Sequence, residues 1–462
     1  MGELIQSGNS VPLSSNSETW NGLFCIWSEA ISVCALALFA LVLESIYPSP
    51  GGVLLLGLAA LSYWNYRIGG RDVLYPAFTY TIIWTIVAAV YTFCPIPIDR
   101  IGLKTVAILL AGGASFSIGC LVGNRSLAGR KQNLQVLRAS DVHDNPQPRN
   151  VLLALSVAVT LVLVVGVIRY AGSIFAISPQ FLLALQSQDS PLENADMLTH
   201  VVLVSGGLLP VLTLWVLLIE ETRRWKILLC AGCICLFPLF LPQRGLIMFT
   251  FCGCLTLFLL KRSDRSFRKL AMPLSFAALG IVGLMGVLSF SKTWVQTPGG
   301  FSITDGVWMY IAGPIATFNY AIYHPHAFEG QPAAVFSQIL EPLSRLGLVN
   351  YQTLTQVNGF PFDKFVYVPF PGNVYTAYKP YYEDFGVIGC LVAFALFGFI
   401  EGRLFYASIR GNRIAIFCFA YLANALMFST FDDFYHAFSR HLNILIFLIG
   451  YFWFMKRMRI RL

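Results

Sequence analysis

The chain has 462 residues, of which 56% are apolar and only 12% charged, and it carries a formal charge of +8. Globular chains carry roughly a quarter charged residues, and a mean hydropathy of +0.68 leaves more apolar surface than a soluble core absorbs. These values exclude a nucleic-acid-binding protein, a disulfide-stapled secreted domain and a cytosolic enzyme, and they predict an all-α polytopic membrane protein.

About twelve apolar spans follow one another along the chain, at 24–46, 52–66, 76–93, 102–123, 151–171, 198–220, 227–241, 245–260, 270–290, 386–407, 414–430 and 442–455. Residues 1–23 are polar and hold no Lys or Arg, so they lack the basic start of a signal peptide, and the first span reads as a retained anchor. If the N-terminus is cytoplasmic, 22 of the 31 basic residues fall in inside loops, and the positive-inside rule then puts both termini in the cytoplasm. The inside loops hold no G-x-x-x-x-G-K-[ST] phosphate loop, which argues against an ATPase.

The chain divides into a membrane region of nine helices at 1–290, a large outer loop at 291–385 and a membrane region of three helices at 386–462. The outer loop is rich in Tyr, Trp and Phe, so it is expected to fold on the outer membrane face, with amphipathic helices near 303–322 and 333–348. The eleven cysteines lie mostly within spans and read as small apolar packing residues.

The candidate site residues are polar groups at outer boundaries. Arg244, in Leu-Pro-Gln-Arg-Gly, interrupts an apolar stretch and reads as a phosphate ligand or as a structural turn. Arg169 ends the fifth span beside Tyr170, as a ligand or as an interfacial anchor. Arg440 follows Asp432, Asp433 and His436 in a short outer turn, where Asp433 is a candidate catalytic carboxylate. Lys292 and Lys379 bracket the outer loop and add positive charge. The string from Gly372 to Gly389 supplies Asn373, Tyr375, Tyr381 and Tyr382 as sugar contacts, and Asp384 as a general base or a helix cap. Gly386 and Gly389 are expected to permit close helix packing. His324 and His326 sit in Tyr-His-Pro-His; no metal is expected there, and His326 is a candidate base or sugar contact.

The span layout, the large outer loop before the last spans, the Asn-Val-Tyr-Thr and Tyr-Glu-Asp-Phe-Gly-Val-Ile-Gly strings and the Pro-Gln-Arg-Gly break resemble bacterial oligosaccharide repeat-unit polymerases of the Wzy type. The resemblance implies a GT-C-like, metal-independent glycosyltransferase that needs no cofactor and sits in the bacterial inner membrane with its active face in the periplasm. Donor and acceptor would both be undecaprenyl-pyrophosphate-linked oligosaccharides. The partners implied are the lipid bilayer, a chain-length regulator and a flippase, with no nucleic acid. Arg169, Arg244 and Arg440 would hold pyrophosphate, and Asp384 or a nearby His would activate the acceptor. Some members carry paired Arg-x10-Gly strings, but here the eleventh position after Arg244 is Leu255 and the eleventh after Arg345 is Gln356. Two rival readings stay open: an O-antigen ligase with the same chemistry, and a lipid-linked oligosaccharide flippase. Transporters are expected to show internal repeats and charges within the membrane, and neither is read here.

Overall fold

The computed structural model describes residues 50–128, 147–171, 173, 207–220, 222–240, 244–262, 265, 269, 303–324, 334–336, 339–340, 343–344, 347–349, 366–368, 371–372, 375–431, 433–435 and 441–451. The spans expected at 24–46 and 270–290, and the outer segment at 172–197, lie essentially outside these residues.

The described chain is helical: α1 (Pro50–Ile68), α2 (Pro76–Thr92), α3 (Leu103–Ala128), α4 (Gln147–Ala171), α5 (Leu208–Ile219), α6 (Arg224–Phe240), α7 (Arg244–Leu260), α8 (Ile303–Tyr323), α9 (Lys379–Ile409), α10 (Arg413–Met427) and α11 (His441–Tyr451). A two-residue antiparallel ladder joins β1 (Val366–Tyr367) and β2 (Pro371–Gly372). Among the described residues, three helices are long and apolar enough to cross a membrane, those at Leu103–Asn124, Arg149–Arg169 and Lys379–Ile409. Local chemistry sets several ends. Pro50 and Pro76 begin α1 and α2, where a missing amide hydrogen costs nothing. The Asn412 side chain caps α10 by accepting from the Ala415 amide at 3.1 Å.

The helices pack as two groups. The first core joins α1, α2, α3, α8 and α9 through residues such as Leu58, Tyr80, Phe116, Phe318 and Phe394. The second joins α4 to α7 with α11 through Val167, Trp215, Phe237 and Phe249. Helix α10 is shared, giving Phe419 and Leu426 to the first core and Phe417, Ala420 and Tyr421 to the second. Helix α8 falls in the segment expected to rest on the membrane face. It is a core element, with Ala312, Ile315, Ala316 and Phe318 fully buried. The reason is its run of small and apolar residues around Pro314, which leaves no polar face over that stretch.

Helices α3 and α9 run parallel and touch backbone to backbone. A Cβ on Gly119 would lie 2.0 Å from the Ala395 carbonyl oxygen, and one on Gly123 would lie 2.2 Å from that of Phe399. In return, Gly398 meets the Phe116 carbonyl at 2.0 Å and Gly402 that of Cys120 at 2.3 Å. Each helix therefore carries a G-x-x-x-G pair at the crossing, which is how membrane helices approach closely without side chains between them. The close approach expected at Gly386 is corrected here: that glycine makes a break. Its φ of 65° and ψ of −155° lie where residues with a Cβ are strained.

The break turns the chain back on itself. Tyr378 and Phe394 stack with ring centroids 4.0 Å apart, although sixteen residues of straight helix would separate them by about 24 Å at roughly 1.5 Å per residue. The segment before Gly386 therefore descends beside the helix that follows it. A second irregular segment meets it from α10. The Ala377 amide donates to the Ser429 carbonyl at 2.9 Å, and Tyr435 stacks on Phe397 at 4.2 Å. At the opposite end, Asp72 pairs with Arg265 at 2.7 Å and caps the Leu74 amide at 2.9 Å. Burial raises the Asp72 carboxyl against the pull of these two partners.

Gly402→Ala is expected to force α3 and α9 apart and cost on the order of 1–3 kcal/mol, as overpacking does, and Gly386→Ala a similar amount through backbone strain. Gly166→Ala, on α4 with open space around it, should be neutral or stabilising by about 0.5–1 kcal/mol. Thermal unfolding of the three variants in detergent compares them directly.

Candidate functional site

The folded-back stretch 375–386, a turn and a short helical run ending at the Gly386 break, and the non-helical residues after α10 enclose a polar cluster between α2, α3 and α9. Its floor is aromatic. The Tyr80 and Tyr378 hydroxyls lie 2.7 Å apart, and Tyr80 stacks on Phe116 at 4.3 Å. Trp84 Nε1 donates to Ser429 Oγ at 3.0 Å, which fixes the second segment against α2. Gly112 makes room for Tyr378, whose ring a Cβ there would meet at 2.2 Å.

Lys379 is buried and its charge is matched. Its Nζ lies 3.0 Å from Glu383 Oε1 and 3.1 Å from Oε2, one helical turn on, and 4.6 Å from the Tyr375 ring centroid. The reading of Lys379 as a cation open to an anion is corrected by this pairing. Tyr375 and Tyr381 are also buried, at 8% and 5% exposure, so their rings build the cluster rather than offering free faces to a sugar. Tyr382 is half-buried, edge-on to Phe318, with Lys104 Nζ 5.4 Å from its ring centroid. Lys104 is exposed at the start of α3, so its charge is open to solvent beside the Tyr382 ring.

The two candidate carboxylates take different positions. Asp433 is buried, accepts the Tyr435 amide at 2.9 Å and accepts the Tyr381 hydroxyl. Asp384 is half-buried two residues before the break, and its Oδ2 accepts the Val335 amide at 2.9 Å. It thereby ties the short 3₁₀ turn Ala334–Phe336 of the large loop to α9. His441 Nε2 lies 2.6 Å from the Tyr435 carbonyl and its Nδ1 2.7 Å from the Tyr421 hydroxyl. A carbonyl only accepts, so Nε2 carries the proton. Thr376 Oγ1 is buried with no hydrogen-bond partner among the described residues.

Arg169 is exposed in the last turn of α4, where a cation complements the helix dipole. Arg244 is the first residue of α7, and its side chain is outside the described set, as are His326, Arg440, Lys292 and Asn373. The structure thus brings together Tyr375, Lys379, Tyr381, Tyr382, Asp384 and Asp433. Sequence reasoning assigned no role to Glu383, Tyr80, Trp84, Ser429 or Glu401. Of these, Glu401 had a signal: it is a lone carboxylate within an apolar span. It is fully buried and accepts the Tyr435 hydroxyl at 3.3 Å. Glu401 is an exception to the reading that the polar groups cluster at one face. Among the described residues no group of three or more His, Cys, Asp or Glu side chains is placed to hold a metal.

Lys379→Met should leave Glu383 buried and unpaired, and cost about 3–5 kcal/mol. The double variant Lys379→Met/Glu383→Leu should recover most of that loss in thermal unfolding of the purified protein. No protein-family model, curated protein or solved structure matches the chain.

Proposed function

We propose that this chain is an inner-membrane glycosyltransferase of about twelve spans and GT-C-like architecture, which polymerises undecaprenyl-pyrophosphate-linked oligosaccharide repeat units at the periplasmic face. The observation that carries this reading is the meeting, inside an apolar bundle, of the folded-back start of α9, with its turn at 375–378 and its break at Gly386, and the non-helical stretch that follows α10. Irregular backbone in such a bundle is tolerated where it is buried in protein or lines a cavity; here it holds Thr376 and Asp433, and the short helical stretch before Gly386 adds Tyr381 and the Lys379–Glu383 pair. Asp384 and Lys104 stand nearer the helix starts, alongside the large loop that the reading assigns to the glycan.

In the proposed reaction the acceptor's terminal hydroxyl attacks the anomeric carbon of the lipid-linked donor chain. A carboxylate takes the hydroxyl proton as the new C–O bond forms. The bond from the anomeric carbon to the pyrophosphate oxygen breaks, and the lipid pyrophosphate leaves with the bonding pair. Asp384 is the better-placed base, because Asp433 is held by Tyr381 and the Tyr435 amide. Lys104 and the positive ends of α3 and α9 support the leaving charge, together with Arg244 and Arg440 as read from the sequence.

Glu401 supports a second reading, in which the chain moves a lipid-linked oligosaccharide without changing it, since carboxylates inside membrane helices mark transport paths. Purified protein given lipid-pyrophosphate-linked repeat units in detergent should build a ladder of longer glycans with no lipid A acceptor added. Product only with a lipid A core would identify a ligase. Unchanged glycan together with movement across liposomes would overturn the enzyme reading. Asp384→Asn should slow ladder formation about 10²–10⁴-fold, as loss of a general base does. Lys104→Ala should slow it about 10–100-fold, the worth of one charge-assisted contact of roughly 1.5–3 kcal/mol.

A further inference from the structure

Glu401 lies outside the machinery proposed for glycosyl transfer and has an environment of its own. It is 0% exposed and sits beside Gly402, at the point where α9 touches the α3 backbone. Its Oε1 accepts the Tyr435 hydroxyl at 3.3 Å, and its Oε2 is buried with no hydrogen-bond partner among the described residues. The titratable groups that interact with it are Cys120 on α3 and Tyr435 on the second irregular segment, with Asp433 just beyond Tyr435. The nearest basic residue along α9, Arg403, is exposed and directed over the Phe399 ring at 5.7 Å. No cation lies within ion-pair distance of Glu401 among the described residues.

An ionised carboxylate in such a place would need a cation or several donors, and it has one hydroxyl. As the neutral acid it needs far less, and the hydroxyl contact suffices for its carbonyl oxygen. The same hydroxyl belongs to the residue whose amide is held by Asp433 and whose carbonyl is held by His441. Occupancy of Glu401 and placement of the 433–435 segment are thus mechanically joined.

We propose that Glu401 is a proton-binding site within the bundle, and that the proton it carries keeps the Asp433–Tyr435 segment docked. Binding is a single step: a carboxylate oxygen takes a proton from water, and the resulting O–H stays enclosed by the α3–α9 seam. The proton returns to water only when the segment moves away and water reaches the carboxyl. Because Asp433 travels with Tyr435, the proton also governs the position of a carboxylate in the candidate site. This device holds whether the chain polymerises or transports glycans, and its test needs no turnover.

The test is infrared difference spectroscopy on the full chain in lipid nanodiscs, with Glu401→Gln and Tyr435→Phe variants. At neutral pH the wild type should show the carbonyl stretch of a protonated carboxyl, and Glu401→Gln should lack it. Tyr435→Phe should keep the band and shift it to higher frequency, since the carbonyl oxygen loses its donor. On raising the pH, the wild-type band should vanish at the same pH at which amide hydrogen exchange in residues 428–435, corrected for its intrinsic pH dependence, increases at least tenfold. Glu401→Gln should show no such step. A wild-type spectrum identical to that of Glu401→Gln at neutral pH overturns the proposal. So does a band unmoved by Tyr435→Phe, or a band lost without any change in exchange. If Glu401→Gln does not fold, the Tyr435→Phe shift and the wild-type exchange step decide the matter by the same criteria.

Discussion

The rest of the structure depends on the contact of α3 and α9 through their glycines. Where Gly119 and Gly123 face Gly398 and Gly402, each backbone lies against the carbonyl oxygens of the other. Apolar side chains provide little driving force between helices within lipid, so close van der Waals packing of this kind supplies the cohesion. The contact also sets geometry. Two parallel helices held this tightly start side by side at one end of the bundle, and the space that opens between them there takes the folded-back segment. Gly112 extends the same logic, because it leaves room for the Tyr378 ring.

Two polar segments can enter an apolar bundle only if their backbone groups find partners. Here they find each other and their neighbours. The Ala377 amide takes the Ser429 carbonyl, Asp433 takes the Tyr435 amide, and Trp84 and His441 bind from either side. The charges follow the same rule. Lys379 is balanced by Glu383 one turn away, and a pair of this kind tolerates burial where a single charge does not. Glu401 is the exception. Among the described residues it has one hydroxyl partner and an oxygen with none, and the proposed proton site rests on that imbalance.

Much of the architecture was legible in the residues. The spans near 52–66, 76–93, 102–123, 151–171 and 386–407 correspond to α1, α2, α3, α4 and α9, because long apolar runs bounded by Pro, Gly and Arg leave few alternatives to a helix. The string around Tyr375–Asp384 was recognisable as unusual from its density of hydroxyls and carboxylates. Its depth was not. Residues 303–322 were read as an amphipathic helix of the outer loop, and the helix is there as α8; which helices it packs against was not legible, since apolar periodicity does not say which apolar surface a helix will meet.

The sequence by itself determined that this is a helical chain of membrane type, with its polar groups gathered in a few short strings, because composition and run length act locally and need no knowledge of neighbours. Only the tertiary structure decided that Lys379 is already matched by Glu383, that Gly386 reverses the chain rather than packing it, and that Glu401 meets Tyr435 across 34 residues. The meeting of Glu401 with Tyr435 sits beside the glycine contact of α3 and α9. A contact between backbones leaves a mark in the sequence only as paired glycines, with nothing to say which helix each pair will find.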